Sequence, residues 1–87
     1  MLLVVSSADA AVRTFANPRI GGLRLDWCLN FSAQCGKPAA DAYCQTRGYA
    51  GALNFAQAVG AWRTRLINGE GCRGATCTSF AYIRCAG

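Results

Sequence analysis

Six cysteines constrain this sequence more than any other feature. They are Cys28, Cys35, Cys44, Cys72, Cys77 and Cys85, in a chain of 87 residues. An even number of cysteines in so short a chain indicates a disulfide framework. Zinc coordination is the rival interpretation, but the chain has no C-x-x-C pair and no histidine. We therefore predict three disulfides and, with them, a protein that is secreted or periplasmic.

The pairing of these cysteines is not decided by their spacing, because six cysteines allow fifteen connectivities. Our working hypothesis has two short loops and one long one: Cys28–Cys35, Cys72–Cys77 and Cys44–Cys85. By the chain-entropy relation, a short loop contributes about 2 kcal/mol and the long loop about 4 kcal/mol. A small domain has a total stability of about 5–10 kcal/mol, so we expect reduction to unfold the protein.

The first ten residues are predicted to be the remnant of a secretory signal peptide. Residues 1–5 form a short apolar run, and Ala8 and Ala10 give the small-x-small pattern that a signal peptidase recognises. Residues 11–87 are then a single disulfide-stabilised domain, because a chain of this size can form one small core only. No other stretch approaches the roughly 20 apolar residues of a membrane span.

Alternation of apolar and polar residues predicts strands in four segments, residues 12–20, 23–29, 62–67 and 77–85. In the last of these, Phe80 and Tyr82 would share one face. The run Asn68-Gly69-Glu70-Gly71 predicts a turn. Residues 49–61 carry no charge, and a strand or an irregular packed loop are both compatible with them.

One helix is predicted between Gly36 and Gly48. Pro38 suits the first turn, where its missing N–H costs nothing, and Gly48 can adopt the left-handed conformation that ends a helix. Asp41 would lie near the positive end of the helix dipole and Arg47 near the negative end. The sequence therefore predicts an α+β domain, with one short helix packed on an antiparallel sheet of four to five strands.

Residues suited to catalysis are scarce. Residues 11–87 contain three carboxylates (Asp26, Asp41 and Glu70), two serines and no histidine. A serine nucleophile needs a neighbouring base, and a glycosidase needs two carboxylates that face each other. Asp26 is more simply explained as a partner of Arg24 or another arginine. We predict a protein that is not an enzyme and that binds no cofactor and no metal.

Arginine and aromatic side chains are the remaining candidates for a functional site. Eight of the nine basic residues are arginine and the net charge is +5, which favours contacts with carboxylate, phosphate or sulfate groups. If the strands at residues 62–67 and 77–85 are neighbours, Arg63, Arg65 and Arg84 form one basic stripe; a merely solvated polar face is the alternative. Trp62 and Tyr49 are the aromatic residues expected to be free for a ligand.

These features predict a non-catalytic binding module for a carbohydrate or an anionic cell-envelope polymer. The alternative is a secreted antimicrobial or inhibitor-type protein that acts on a competitor or a host. An inhibitor would use the loop at residues 68–77 as its contact segment and a protein as its partner. Export argues against nucleic acid as a physiological partner. We expect a monomer or a weak oligomer.

Three segments resemble a pattern found in small exported cysteine-rich bacterial proteins. They are DWC at residues 26–28, CGKPAADAYC at residues 35–44 and RGY at residues 47–49, and residues 79–85 are similar to the C-terminal strand of the same proteins. The resemblance extends from about Phe15 to Cys85. It implies export and a shared scaffold, and it implies no activity and no site residues.

Overall fold

The structure, a computed structural model, describes residues 11–31, 33–60 and 63–87. The predicted signal-peptide remnant and Trp62 lie outside these residues. The described ranges form nine short strands and one helix. In chain order these are β1 (Val12–Ala16), β2 (Arg19–Ile20), β3 (Leu23–Leu25), β4 (Cys28–Asn30), β5 (Ala33–Cys35), α1 (Lys37–Thr46), β6 (Gly51–Gln57), β7 (Arg63–Arg65), β8 (Gly71–Arg73) and β9 (Phe80–Ala86).

The strands form three small sheets in the orders β1-β9-β6, β2-β3-β7-β8 and β4-β5. Every pair is antiparallel except β3 and β7, which run parallel. The predicted α+β disulfide-rich class is confirmed. The strands are nevertheless divided among three sheets, whereas the sequence predicted one sheet of four to five strands.

A break at Trp27 explains part of this division. The predicted strand at residues 23–29 is split into β3 and β4, because the Asp26 carboxylate accepts a hydrogen bond from the Cys28 N–H at 2.9 Å. A side chain that binds the backbone two residues ahead turns the chain, as in an Asx turn, and ends the ladder. Period-two alternation continues across the break and so does not reveal it.

Helix α1 confirms the sequence prediction. Pro38 lies in its first turn, and Gly48 follows its end with a φ of 89°. Its buried residues are Ala39, Ala40, Tyr43 and Cys44. Arg47 caps the helix just beyond its last turn, and its guanidinium lies 5.1 Å from the centre of the Tyr43 ring. No helix in the described ranges is long and apolar enough to cross a membrane.

The three disulfides are those of the working hypothesis. Cys44–Cys85 joins α1 to β9, and both of its cysteines are fully buried. Cys28–Cys35 closes the β4–β5 hairpin, and Cys72–Cys77 closes the loop that follows β8. Around the Cys44–Cys85 bond, the core cluster contains Leu25, Ala39, Ala40, Tyr43, Phe80 and Ile83.

Strand β9 departs from the predicted alternation. Phe80 is fully buried, whereas Tyr82 is 36% exposed. Between them, Ala81 has no partner on β6, so the strand contains a β-bulge at this point. A bulge inserts one residue and changes the face on which the flanking side chains lie. The prediction that Phe80 and Tyr82 share a face is therefore wrong.

Asp41 is not in the first helical turn, where an acidic residue would face the positive end of the dipole. Its carboxylate accepts hydrogen bonds from Lys37 Nζ at 3.0 Å and from the Ala52 N–H at 2.8 Å. Burial by itself raises the pKa of Asp41, but the hydrogen bond from Ala52 and the contact with Lys37 outweigh it. The pKa of Asp41 consequently lies below its ordinary value of 3.8. Asp41 therefore links α1 to β6.

This lowered pKa predicts a pH-dependent contribution to stability. The ionised carboxylate stabilises the fold at neutral pH, and the contribution disappears as the pH falls through the folded-state pKa, below about pH 4. We expect Asp41→Asn to be less stable than the wild type at pH 7 by up to about 1 kcal/mol. In urea unfolding at a series of pH values, this difference should shrink at the acidic end. A difference that stays constant would contradict the assignment.

Candidate functional site

Five of the eight arginines lie on the four-stranded sheet: Arg19 on β2, Arg24 on β3, Arg63 and Arg65 on β7, and Arg73 on β8. Residues directly opposite each other on neighbouring strands point to the same face. Arg63 is opposite Arg73, and Arg65 is opposite Gly71. Arg63, Arg65 and Arg73 therefore share one face, and we call them the arginine cluster.

The hairpin between β7 and β8 sets this register. The Leu66 N–H donates to the Glu70 carbonyl at 2.8 Å, and Gly69 has a φ of 97° inside the connection. A three-residue loop with glycine in the left-handed region is a common hairpin connection, so the turn predicted at residues 68–71 is confirmed. Three positions further from the turn than the Leu66–Glu70 pair, this register places Arg73 opposite Arg63.

The residues on the other face of β7 are buried, and this determines that the arginine cluster points away from the core. Thr64 and Leu66 are fully buried, so the alternation predicted for this strand is confirmed where it is described. Thr64 Oγ1 donates to Asp26 Oδ1 at 2.5 Å. Arg24 pairs with Thr64, so the Arg19–Arg24 pair of β2 and β3 lies on this opposite face.

An open depression of about 280 Å³ lies beside the arginine cluster, lined by Leu23 and the residues of β7 and β8. Gly71 leaves space in it, because a Cβ placed there would meet no other heavy atom within 4 Å. The Arg65 side chain is half-buried and runs past Gly21, where a Cβ would lie 3.3 Å from Nη1. Its Nε is buried and has no hydrogen-bond partner among the described residues.

No acidic side chain in the described residues forms an ion pair with the cluster. Within residues 11–31, 33–60 and 63–87, the ion pair is that of Lys37 with Asp41. Asp26 lies on the opposite face with Thr64, and Glu70 accepts a hydrogen bond from Asn68 at 3.0 Å. Like charges directly opposite on antiparallel strands destabilise a sheet. The Arg63–Arg73 pair is therefore unfavourable until an anion neutralises it.

The predicted basic stripe is wrong in one respect. Arg84 lies on β9, in the three-stranded sheet, so it is not on a strand next to Arg63 and Arg65. Tyr49 is half-buried, and its ring meets the Phe15 ring edge-on at 6.1 Å. Arg73, which was not part of the predicted stripe, lies on the strand next to Arg63 and Arg65, where Arg84 was expected. The β7–β8 hairpin register is the signal that identifies it.

Two other groupings are less suited to a ligand. A depression of about 340 Å³ lies beside Lys37 and Asp41, but these side chains neutralise each other and alanine and glycine form most of the remaining lining. Ligand-type atoms of Asp26, Cys72 and Cys77 lie within 4.8 Å of one another. The two sulfur atoms are joined in a disulfide, and metal binding requires thiolates.

Comparison with known proteins adds no identification. The chain matches no protein-family model, no curated protein and no solved structure. The resemblance to small exported cysteine-rich bacterial proteins stays a prediction. A function has to be inferred from the residues of this chain.

Proposed function

We propose that this protein is an exported, non-catalytic binding module for an anionic polymer of the cell envelope, such as an acidic polysaccharide. The arginine cluster is the contact surface. The observation that carries the proposal is the grouping of three arginines on one face beside an open depression, with no ion-pair partner among the described residues.

The geometry of the cluster favours a ligand with several negative charges. Residues two apart on a strand are separated by about 7 Å, and directly opposite residues by about 5 Å. A polymer that carries an acidic group on each repeat can reach two or three guanidinium groups at once, whereas a small monovalent anion reaches one. Each guanidinium can bind a carboxylate or phosphate through two parallel hydrogen bonds.

Three further observations support an exported module without catalytic activity. The three disulfides are compatible with an oxidising compartment. Each of the three described carboxylates has a hydrogen-bond partner in the fold: Thr64 for Asp26, Lys37 for Asp41 and Asn68 for Glu70. The segment considered for an inhibitor is not one exposed loop: residues 71–73 form strand β8, and residues 74–77 form a tight turn, in which the Cys77 N–H donates to the Gly74 carbonyl. This conformation gives no support to the inhibitor alternative.

The proposal predicts that Arg63→Ala with Arg73→Ala weakens binding of long-chain inorganic polyphosphate at least about tenfold, because hydrogen bonds to charged groups are lost. Isothermal titration calorimetry at low and high salt measures this. The matched control is Arg13→Ala with Arg19→Ala, which removes the same charge away from this face. If both double variants weaken binding equally, the contact is a diffuse charge effect and the cluster is not a site.

A third variant tests whether polyphosphate occupies the depression, because it fills this space without changing any charge. Gly71→Val places a branched side chain in the open space opposite Arg65 without changing any charge. Valine also suits a strand better than glycine does, so we expect the folded stability to be kept or raised while polyphosphate binding falls. Unchanged binding by Gly71→Val would show that the ligand does not occupy the depression.

Repulsion within the arginine cluster should also lower the stability of the ligand-free protein. Arg73→Thr removes a like charge directly opposite Arg63, so the melting temperature at low salt should rise by a few degrees, as expected for up to about 1 kcal/mol. Added polyphosphate should stabilise the wild type more than Arg73→Thr. This readout shows that lost binding is not the result of unfolding.

A further inference from the structure

The three-stranded sheet has one covered face and one open face. The pairings Phe15–Ile83 and Phe55–Ile83 place these three side chains on one face, and all three belong to the core or pack against it. The alternate residues must point the other way. They form two central rows across β1, β9 and β6, namely Ala16–Tyr82–Ala56 and Thr14–Arg84–Asn54.

Tyr82 is the aromatic residue at the centre of this open face. It is 36% exposed, and the residues directly beside it on both neighbouring strands are alanines. It forms no aromatic pair and no side-chain hydrogen bond among the described residues. Because alanine side chains are short, the surface on either side of the tyrosine is low and apolar.

The neighbouring row is polar and carries one positive charge. Arg84 lies between Thr14 and Asn54, and all three residues are exposed. Among the described residues, the Arg84 guanidinium has no ion-pair partner, and none of these three side chains forms a hydrogen bond. Arg84 is two residues from Tyr82 on the same face, a separation of about 7 Å along the strand.

We propose that this open face is a second binding site, one that takes an acidic sugar. The apolar face of a pyranose ring lies against Tyr82 and the low alanine surface beside it, and the carboxylate of the sugar pairs with Arg84. Asn54 and Thr14 hydrogen-bond the ring hydroxyl groups, since an amide and a hydroxyl both donate and accept. The positive charge of Arg84, with no acidic residue on its row, selects an anionic sugar over a neutral one.

A single-stranded nucleic acid also combines flat rings with negative charge, but the site suits it less. Proteins that hold single strands use several aromatic side chains, on which successive bases stack. Here the two central rows contain one aromatic residue and one arginine. The hydrogen-bonding side chains that flank Arg84 suit a ring that carries many hydroxyl groups.

The test measures binding of hexagalacturonate, maltohexaose, inorganic polyphosphate and a thymidine oligonucleotide. Tyr82→Ala should weaken hexagalacturonate binding about tenfold, and Tyr82→Phe should preserve most of it. Arg84→Gln should lower the affinity for hexagalacturonate towards that for maltohexaose. Phe31→Ala, which removes an aromatic side chain that is 53% exposed in the connection between β4 and β5, should have no effect. Circular dichroism checks that each variant is folded.

The outcomes also separate this site from the arginine cluster. Tyr82→Ala should leave polyphosphate binding unchanged, and Arg63→Ala with Arg73→Ala should leave a component of hexagalacturonate binding that depends on Tyr82. Hexagalacturonate binding that does not respond to Tyr82→Ala overturns the second site and leaves the cluster in place. Oligonucleotide binding that depends on Tyr82, with no hexagalacturonate binding, would assign the face to nucleic acid and overturn the sugar assignment.

Discussion

Replacing both Cys44 and Cys85 by alanine should remove most of the stability of this domain. The disulfide closes a loop with a sequence separation of 41 residues, which corresponds to about 4 kcal/mol of lost chain entropy in the unfolded state. Both residues are also fully buried, so alanine leaves unfilled space where α1 packs on β9. Urea unfolding followed by circular dichroism should give a strongly lowered midpoint, with a large unfolded fraction at 37 °C.

The matched control is Cys28→Ala with Cys35→Ala. This disulfide closes a sequence separation of 7 residues in the two-stranded β4–β5 hairpin, and Cys35 is exposed. We expect a loss of about 2 kcal/mol, with the core and the arginine cluster intact. If the two double variants lose the same stability, the long loop is not what makes the Cys44–Cys85 bond important.

The features that the sequence predicted correctly depend on local signals. Pro38 and Gly48 mark the ends of α1 by their own backbone preferences. The turn at residues 68–71 follows from glycine in a short connection. Two of the disulfides close short loops, and pairing them leaves Cys44 and Cys85 for each other. These conclusions need no knowledge of which strands are neighbours.

The features that the sequence missed depend on contacts between distant segments. Alternation along β7 correctly predicts which residues point outward, but it does not say which strand lies beside them. β7 pairs with β3 and β8, and β9 pairs with β1 and β6, so Arg84 is separated from the basic face that it was expected to join. The bulge at Ala81 and the break at Trp27 likewise arise from pairing and from a side-chain hydrogen bond, which alternation does not detect.

The second large effect concerns the buried carboxylate behind the arginine cluster. Asp26 is 6% exposed, and its two oxygens accept hydrogen bonds from Thr64 Oγ1 and from the Cys28 N–H. Asp26→Ala leaves the fully buried Thr64 hydroxyl and a backbone N–H without this partner. Each buried donor left unsatisfied costs about 1–3 kcal/mol, so we expect a loss of about 2–6 kcal/mol in the free energy of unfolding, measured in urea. In a small domain this is enough to unfold much of the protein.

Comparing Asp26→Ala with Asp26→Asn separates the effect of the hydrogen bonds of Asp26 from the effect of its charge. The Thr64 hydroxyl can rotate to accept a hydrogen bond from the asparagine amide, while the amide oxygen accepts from the Cys28 N–H. Both hydrogen bonds then survive without a buried charge, so the loss of stability should be below about 1.5 kcal/mol. Polyphosphate affinity should also stay unchanged, because Asp26 supports β7 from the face opposite Arg63 and Arg65. If Asp26→Asn is as unstable as Asp26→Ala, the negative charge of Asp26, and not its two hydrogen bonds, is what stabilises this part of the fold.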